Sequence, residues 1–171
     1  MKIDAKVQSI SKLKDYFFLV PDYQREYVWK PDDEVEQFLI DIENEYSPDA
    51  KEQRNYFLGS IIIVNNDRCF DVVDGQQRLT TIMLSLCVFR DLLKKETLNS
   101  AQKNYLQIIE NLLYNFDIES GETRVRLELQ YEESHDYLTA LIQEQPYNGV
   151  RSPSIAVSYT HLRAHETKAN L

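Results

Sequence analysis

The spacing of apolar and polar residues changes period several times along the chain, and each change marks a new element. Tyr16-Phe17-Phe18-Leu19-Val20 is a continuous apolar run that stops at Pro21, the pattern of a short helix or strand entering a loop. The loop, residues 21–31, is polar but carries Tyr23, Tyr27 and Trp29. After Pro31, the positions Val35, Phe38, Leu39 and Ile42 recur at helical spacing. Asp32, Asp33 and Glu34 precede them and suit the positive end of a helix dipole, which predicts a helix over 32–46. Residues 56–64 form a β-branched stretch bounded by Asn65-Asn66-Asp67, and 69–73 a second, so two strands joined by a turn are expected. From Leu79 the period becomes helical through Ile82, Met83, Leu86, Phe89 and Leu93. Leu84, Val88 and Leu92 widen that face until the helix is apolar nearly all round, which places it at the centre of the core. Residues 100–116 predict another helix, with Ser100 as N-cap and Tyr105, Ile108, Ile109, Leu112 and Leu113 on one stripe. Gly121 punctuates, and 124–131 then alternates as a half-buried strand, Val125, Leu127 and Leu129 inward, Arg124, Arg126 and Glu128 outward. A last helix covers 134–143. The expected fold class is mixed α/β in one domain.

Composition narrows the class. The chain has 171 residues, 43% of them hydrophobic, enough to build one core. No apolar run approaches the length of a membrane span, and Met1-Lys2-Ile3-Asp4 lacks the apolar region of a signal peptide, so a cytoplasmic protein is expected. Cys69 and Cys87 lie beside or within apolar runs without CxxC or Cys/His spacing. They read as buried thiols rather than a disulfide framework or a zinc site. With 19 basic against 28 acidic residues the net charge is −9, which disfavours a surface made to neutralise many DNA phosphates. Any nucleic-acid contact is then local, or belongs to another part of the protein.

The C-terminus calls for separate treatment. Ala156-Val157-Ser158-Tyr159-Thr160-His161-Leu162-Arg163-Ala164-His165-Glu166-Thr167 resembles, codon by codon, the translation of a transposase-type sequencing adaptor, and an eight-base barcode followed by the adaptor's next constant bases accounts for residues 168–171. Residues 156–171 are therefore expected to be a non-native tail after a truncated continuation, 146–155. His161 and His165 stand four apart beside Glu166, a spacing that would otherwise invite a metal-site reading. Setting the tail aside leaves His135, in the polar run 132–136, as a solvated residue at a helix start.

One junction combines the signals of a binding site: Phe70-Asp71-Val72-Val73-Asp74-Gly75-Gln76-Gln77-Arg78-Leu79-Thr80-Thr81. A buried strand passing through one glycine into a buried helix aims the unpaired N–H groups of the first turn beyond the strand end. Phosphate suits that place, since the N–H groups donate and the helix dipole adds positive potential. Gly75, one of only four glycines, permits a sharp bend and close approach of a ligand, and Arg78 adds a permanently charged fork. Gln76 and Gln77 are suited to cap the turn, contact a base or sugar, or orient an attacking water. The same residues also fit a plain turn, with Asp74 as N-cap and Arg78 as a surface charge, and the pattern is not a Walker A loop.

Three blocks in order, Pro21-Asp22-Tyr23-Gln24-Arg25-Glu26-Tyr27-Val28-Trp29, Phe57-Leu58-Gly59-Ser60-Ile61-Ile62 and Val73-Asp74-Gly75-Gln76-Gln77-Arg78-Leu79-Thr80-Thr81, resemble the signature of the GmrSD restriction endonuclease N-terminal domain family. Arg126-Leu127-Glu128-Leu129 and Asp136-Tyr137 resemble its continuation, and a domain of residues 1–145 is what the extent of the resemblance implies. The resemblance implies a ParB/sulfiredoxin-like fold in which Gly75-Gln76-Gln77-Arg78 cradles nucleotide phosphates. It further implies a nucleotide-binding, NTP-hydrolysing regulatory domain of a modification-dependent restriction system, with DNA cleavage left to a C-terminal HNH-type domain. Asp74, Gln76, Gln77 and Arg78 become the candidate catalytic residues. Tyr23, Gln24, Arg25, Gly59, Ser60, Gly75, Gln77, Arg78, Thr80 and Thr81 become candidate contacts to a nucleoside triphosphate carried with Mg²⁺. Modified foreign DNA is the partner expected of the whole protein, no membrane is expected, and a homo-oligomer is compatible. Sulfiredoxin chemistry is not implied, because Gln76 occupies the reactive cysteine's place. For Tyr27 and Trp29, packing is the reading. The competing readings are a nuclease using Asp74 with a metal, a ParB-like DNA-binding domain, and an interaction module without catalysis.

Overall fold

The computed structural model describes residues 4–45, 56–116, 118 and 121–169. The apolar run after Tyr16 becomes β1 (Phe18–Val20), and a Pro-started turn at Pro31–Val35 opens α1 (Glu36–Glu45). A hairpin of β2 (Ile62–Asn66) and β3 (Cys69–Asp74) turns at Asp67, whose φ of 41° is left-handed. Then come α2 (Gln76–Leu93), α3 (Ser100–Leu113), β4 (Tyr114–Phe116), β5 (Thr123–Val125), β6 (Leu127–Leu129), α4 (Glu132–Ile142) and α5 (Pro153–Ala169). Mixed α/β architecture, with a mixed sheet and several helices, is the result. Among the described residues no helix is long and apolar enough to cross a membrane.

The main sheet has the order β2-β3-β1-β6. β1 runs parallel to β3 and to β6, pairing Phe18 with Phe70 on one side and with Leu127 on the other. β2 is antiparallel to β3. Three parallel strands therefore deliver their carboxyl ends to one edge of the sheet, where Pro21, Gly75 and Gln130-Tyr131 follow. In open α/β sheets, that edge is where ligand crevices form.

α2 is the central helix, with Leu79, Met83, Leu84, Cys87 and Val88 in the main cluster beside Phe18 and Val20 of β1 and Val72 of β3. Its Arg90 is only 1% exposed, held by Asp91 at 2.8 Å and by donation to the Leu141 and Ile142 carbonyls at the end of α4. A buried guanidinium is tolerated here because its donors meet acceptors.

Several expectations need correction. Residues 56–61 lie outside any strand, because Gly59 (φ +108°) turns that segment toward the β3–α2 junction. α3 is capped by Asn99 in a reciprocal capping box with Gln102 rather than by Ser100. It ends at Leu113, and Tyr114–Phe116 leaves as a strand paired with β5. The alternating run 124–131 is divided by a bend at Arg126, so β5 joins β4 and β6 joins β1. That bend buries Arg126, expected outside, against the Phe17 ring at 4.4 Å, with its Nε donating to the Asn111 carbonyl. Of the α3 stripe only Leu112 and Leu113 are buried, while Tyr105 and Ile108 are exposed. Cys87 is buried as expected, but Cys69 is half-buried. His135 is not a freely solvated residue: its Nδ1 lies 2.8 Å from the Leu129 carbonyl oxygen. The expected helix end at residue 46 lies outside the described residues.

The segment 156–171, left out of the fold reasoning, falls largely within α5. There Ile155, Ser158 and Leu162 are buried with the main cluster or beside it, and His161 lies 2.7 Å from Glu36. α5 thereby packs against α2.

Candidate functional site at the strand ends

The site is built where β3 turns into α2. Gly75 adopts φ +86° and ψ 10°, and serves as N-cap with no side-chain capping bond. Asp74 is thus the last residue of β3, exposed and in register with Ile62, and not the cap of α2. A Cβ at Gly75 would stand 2.8 Å from the Ser60 carbonyl oxygen and 3.1 Å from Ile61 Cα, both backbone atoms that cannot swing aside. The glycine is required by conformation and by space. Backbone bonding inside the helix begins with Leu79 N–H to the Gly75 carbonyl at 2.9 Å. The N–H groups before it are those of the open first turn.

Arg78 reaches back to the Gly59-Ser60 segment, donating from Nη1 to the Ser60 carbonyl at 2.9 Å. Its Cζ lies 2.5 Å from where a Gly59 Cβ would stand, so the guanidinium rests on bare backbone. Gly59, Ser60, Gly75 and Arg78, drawn from two distant blocks, are thereby brought together. The Ser60 side chain is exposed.

The two glutamines grip the loop after β1. Gln77 donates from Nε2 to the Glu26 carbonyl at 2.8 Å, while its Oε1 accepts from the N–H groups of Val28 at 2.8 Å and Trp29 at 3.3 Å. Both ends of that amide are engaged. Gln76 donates from Nε2 to the Arg25 carbonyl at 3.0 Å, and its Oε1 is buried without a partner. Gln24 answers from the loop, donating to the Val73 carbonyl at 3.3 Å. Tyr23 is 73% exposed on the same loop.

Tyr131, past the end of β6, donates its hydroxyl to the same Arg25 carbonyl at 2.5 Å. Burial, with the charges of Glu26 and Asp22, pushes its pKa up to about 12, so it remains a donor at neutral pH. Sequence reasoning gave Tyr131 no role beyond closing a strand. The available signal was its place immediately past a third parallel strand. The Arg25 side chain is exposed and forms no ion pair among the described residues. Glu34 is held below the usual carboxylate range by backbone N–H donors, that of Lys30 first, with Lys30 and Arg25 adding positive charge.

Thr80 and Thr81 are buried within α2. Thr81 Oγ1 bonds the Gln77 carbonyl at 2.9 Å and lies 2.9 Å from the Tyr27 hydroxyl. Tyr27 is itself buried and Trp29 packs on Phe38, as large aromatics beside a loop tend to do.

The exposed Arg25 on a loop of zero net charge, an open helix start and a fixed arginine thus share one sheet edge, where their N–H groups are donors of the kind an anion takes. Among the described residues there is no group of three His, Cys, Asp or Glu side chains able to hold a metal. In comparison with known proteins, the profile of the family described as "GmrSD restriction endonuclease, N-terminal domain" matches residues 7–165. No curated protein matches the chain.

Proposed function

Starting from the fact that this chain belongs to the GmrSD restriction endonuclease N-terminal domain family, and so is a component of a restriction or defence protein, we propose that it binds a nucleoside triphosphate at the β3–α2 junction and hydrolyses it as a regulatory step. The observation that carries the reading is the junction of Gly75 with the open first turn of α2, flanked by Arg78 on one side and the loop of Arg25 on the other.

The division of labour follows from the contacts. First-turn N–H groups and the dipole of α2 hold phosphate oxygens. Arg78 and Arg25 supply charge-assisted donors, each worth about 1.5–3 kcal/mol. Of the two glutamines, Gln76 alone retains an unpartnered acceptor, and it is the one suited to hold a water against the terminal phosphate. Gln77 shapes the loop. Asp74, the carboxylate at the strand end, would hold Mg²⁺ carried with the triphosphate, and the ion would supply charge neutralisation on the phosphates. DNA carrying modified bases is the regulator expected of the whole protein.

Arg78→Ala should weaken triphosphate binding by about 1.5–3 kcal/mol, read by calorimetry with ATP, GTP and CTP. Equal affinity of variant and parent for the preferred nucleotide rejects the site. Phosphate release, measured with and without modified DNA, distinguishes hydrolysis from a binding switch: a chain that binds but never releases phosphate is a switch.

A further inference from the structure

We propose that Tyr131 is a positioning residue of this site: with Gln76 it fixes the Arg25 carbonyl, and so presents the Arg25 guanidinium to the bound triphosphate. The inference rests on the nucleotide-binding reading and adds a residue that neither the family match nor the junction motif assigns.

The geometry is a two-point clamp on one atom. Gln76 Nε2 approaches the Arg25 carbonyl from the start of α2 at 3.0 Å, and the Tyr131 hydroxyl approaches it from beyond β6 at 2.5 Å. A carbonyl oxygen has two lone pairs, and both are engaged by side chains from different elements. Fixing that peptide plane fixes the backbone from which the Arg25 side chain departs. Without the clamp, residue 25 would lie in an irregular loop, secured on one side by Gln24 on Val73 and on the other by Gln77 on residues 26, 28 and 29. The clamp also holds the Gln76 amide in one orientation, with Oε1 left as the buried open acceptor. Tyr131 is itself 7% exposed, so its ring is fixed by packing before its hydroxyl is used. A loop arginine that must be ordered on binding loses affinity to side-chain and loop ordering, and a preset one does not.

A double-mutant cycle on the full chain tests this by nucleotide affinity, with no need for hydrolysis. Tyr131→Phe keeps the ring and removes the hydroxyl. It should weaken the preferred triphosphate roughly fivefold when Arg25 is present, and leave affinity unchanged in an Arg25→Ala background. A purely structural role would lower both affinities equally, and that result overturns the proposal, as does no loss in either background. Thermal melting of each variant is recorded alongside. If Tyr131→Phe does not fold, Gln76→Met attacks the same carbonyl from the other side and should show the same dependence on Arg25; additivity there overturns the proposal. Failure of the parental chain to bind ATP, GTP or CTP rejects the nucleotide reading and this inference together, whereas a binding parent with an uncoupled Tyr131 rejects only the latter.

Discussion

Gln77 lies in a motif whose glutamines and arginine suggest catalysis, yet its amide is bonded at both ends to backbone groups of residues 26, 28 and 29. Removing it strands two part-buried donors and an acceptor, each costing about 1–3 kcal/mol where water does not replace the partner. Gln77→Ala should therefore destabilise the fold by about 2 kcal/mol or more, seen as a lower urea midpoint. An unchanged midpoint would show that the loop rehydrates freely and that the clamp does not matter for stability. Arg78→Ala, on a half-buried side chain, should shift binding far more than melting. The residues of the site were legible in the sequence as chemistry: the glycine that must bend, the arginine that suits phosphate. Their partners were not. Gln77 meets groups 48 to 51 residues away, and a local pattern of donors and acceptors does not say which loop will come to meet them. Tyr131 is the extreme case, 106 residues from the carbonyl it holds.

Among the elements, α2 could be read from sequence because it is buried on nearly every side, so that its apolar residues run on for longer than a strand does. The run 124–131 could not, because the same strict alternation feeds two sheets and the bend at Arg126 leaves no mark in the pattern. Burial in α2 also has a measurable effect on Cys87, whose pKa is pushed up to about 12. In the unfolded chain that thiol ionises near its ordinary value of 9.0, while in the fold it stays protonated. Its contribution is full below about pH 9 and is lost as pH rises toward about 12, because only the unfolded chain gains by ionising across that interval. Cys69, half-buried at the start of β3, should be labelled by a thiol reagent in the native protein, and Cys87 only on unfolding. Labelling of both at the same rate under native conditions would contradict the central position of α2.

At the scale of the molecule, the cover of α2 is the question that bears on the gene. Ile155 and Leu162 of α5 occupy its flank, and the sequence expectation is that everything after Ile155 is adaptor-derived. Amplification from source DNA, primed in the codons for 74–81, should then read past residue 155 into a different continuation that supplies apolar side chains at the same flank. Recovery of the same sixteen codons would make α5 native. Tyr105 and Ile108 stand exposed one turn apart on α3. The outer position of β2 in the sheet has a further consequence. A strand in that place presents one row of backbone donors and acceptors away from its neighbour, here with Ile62 and Val64 partly exposed along it, and so offers a template to any other extended chain. The shift of register between Ile62 and Ile63 leaves Val73 as an extra residue in β3, and the added local twist of such a bulge makes the neighbouring edge a poorer seed for stacking one copy on the next.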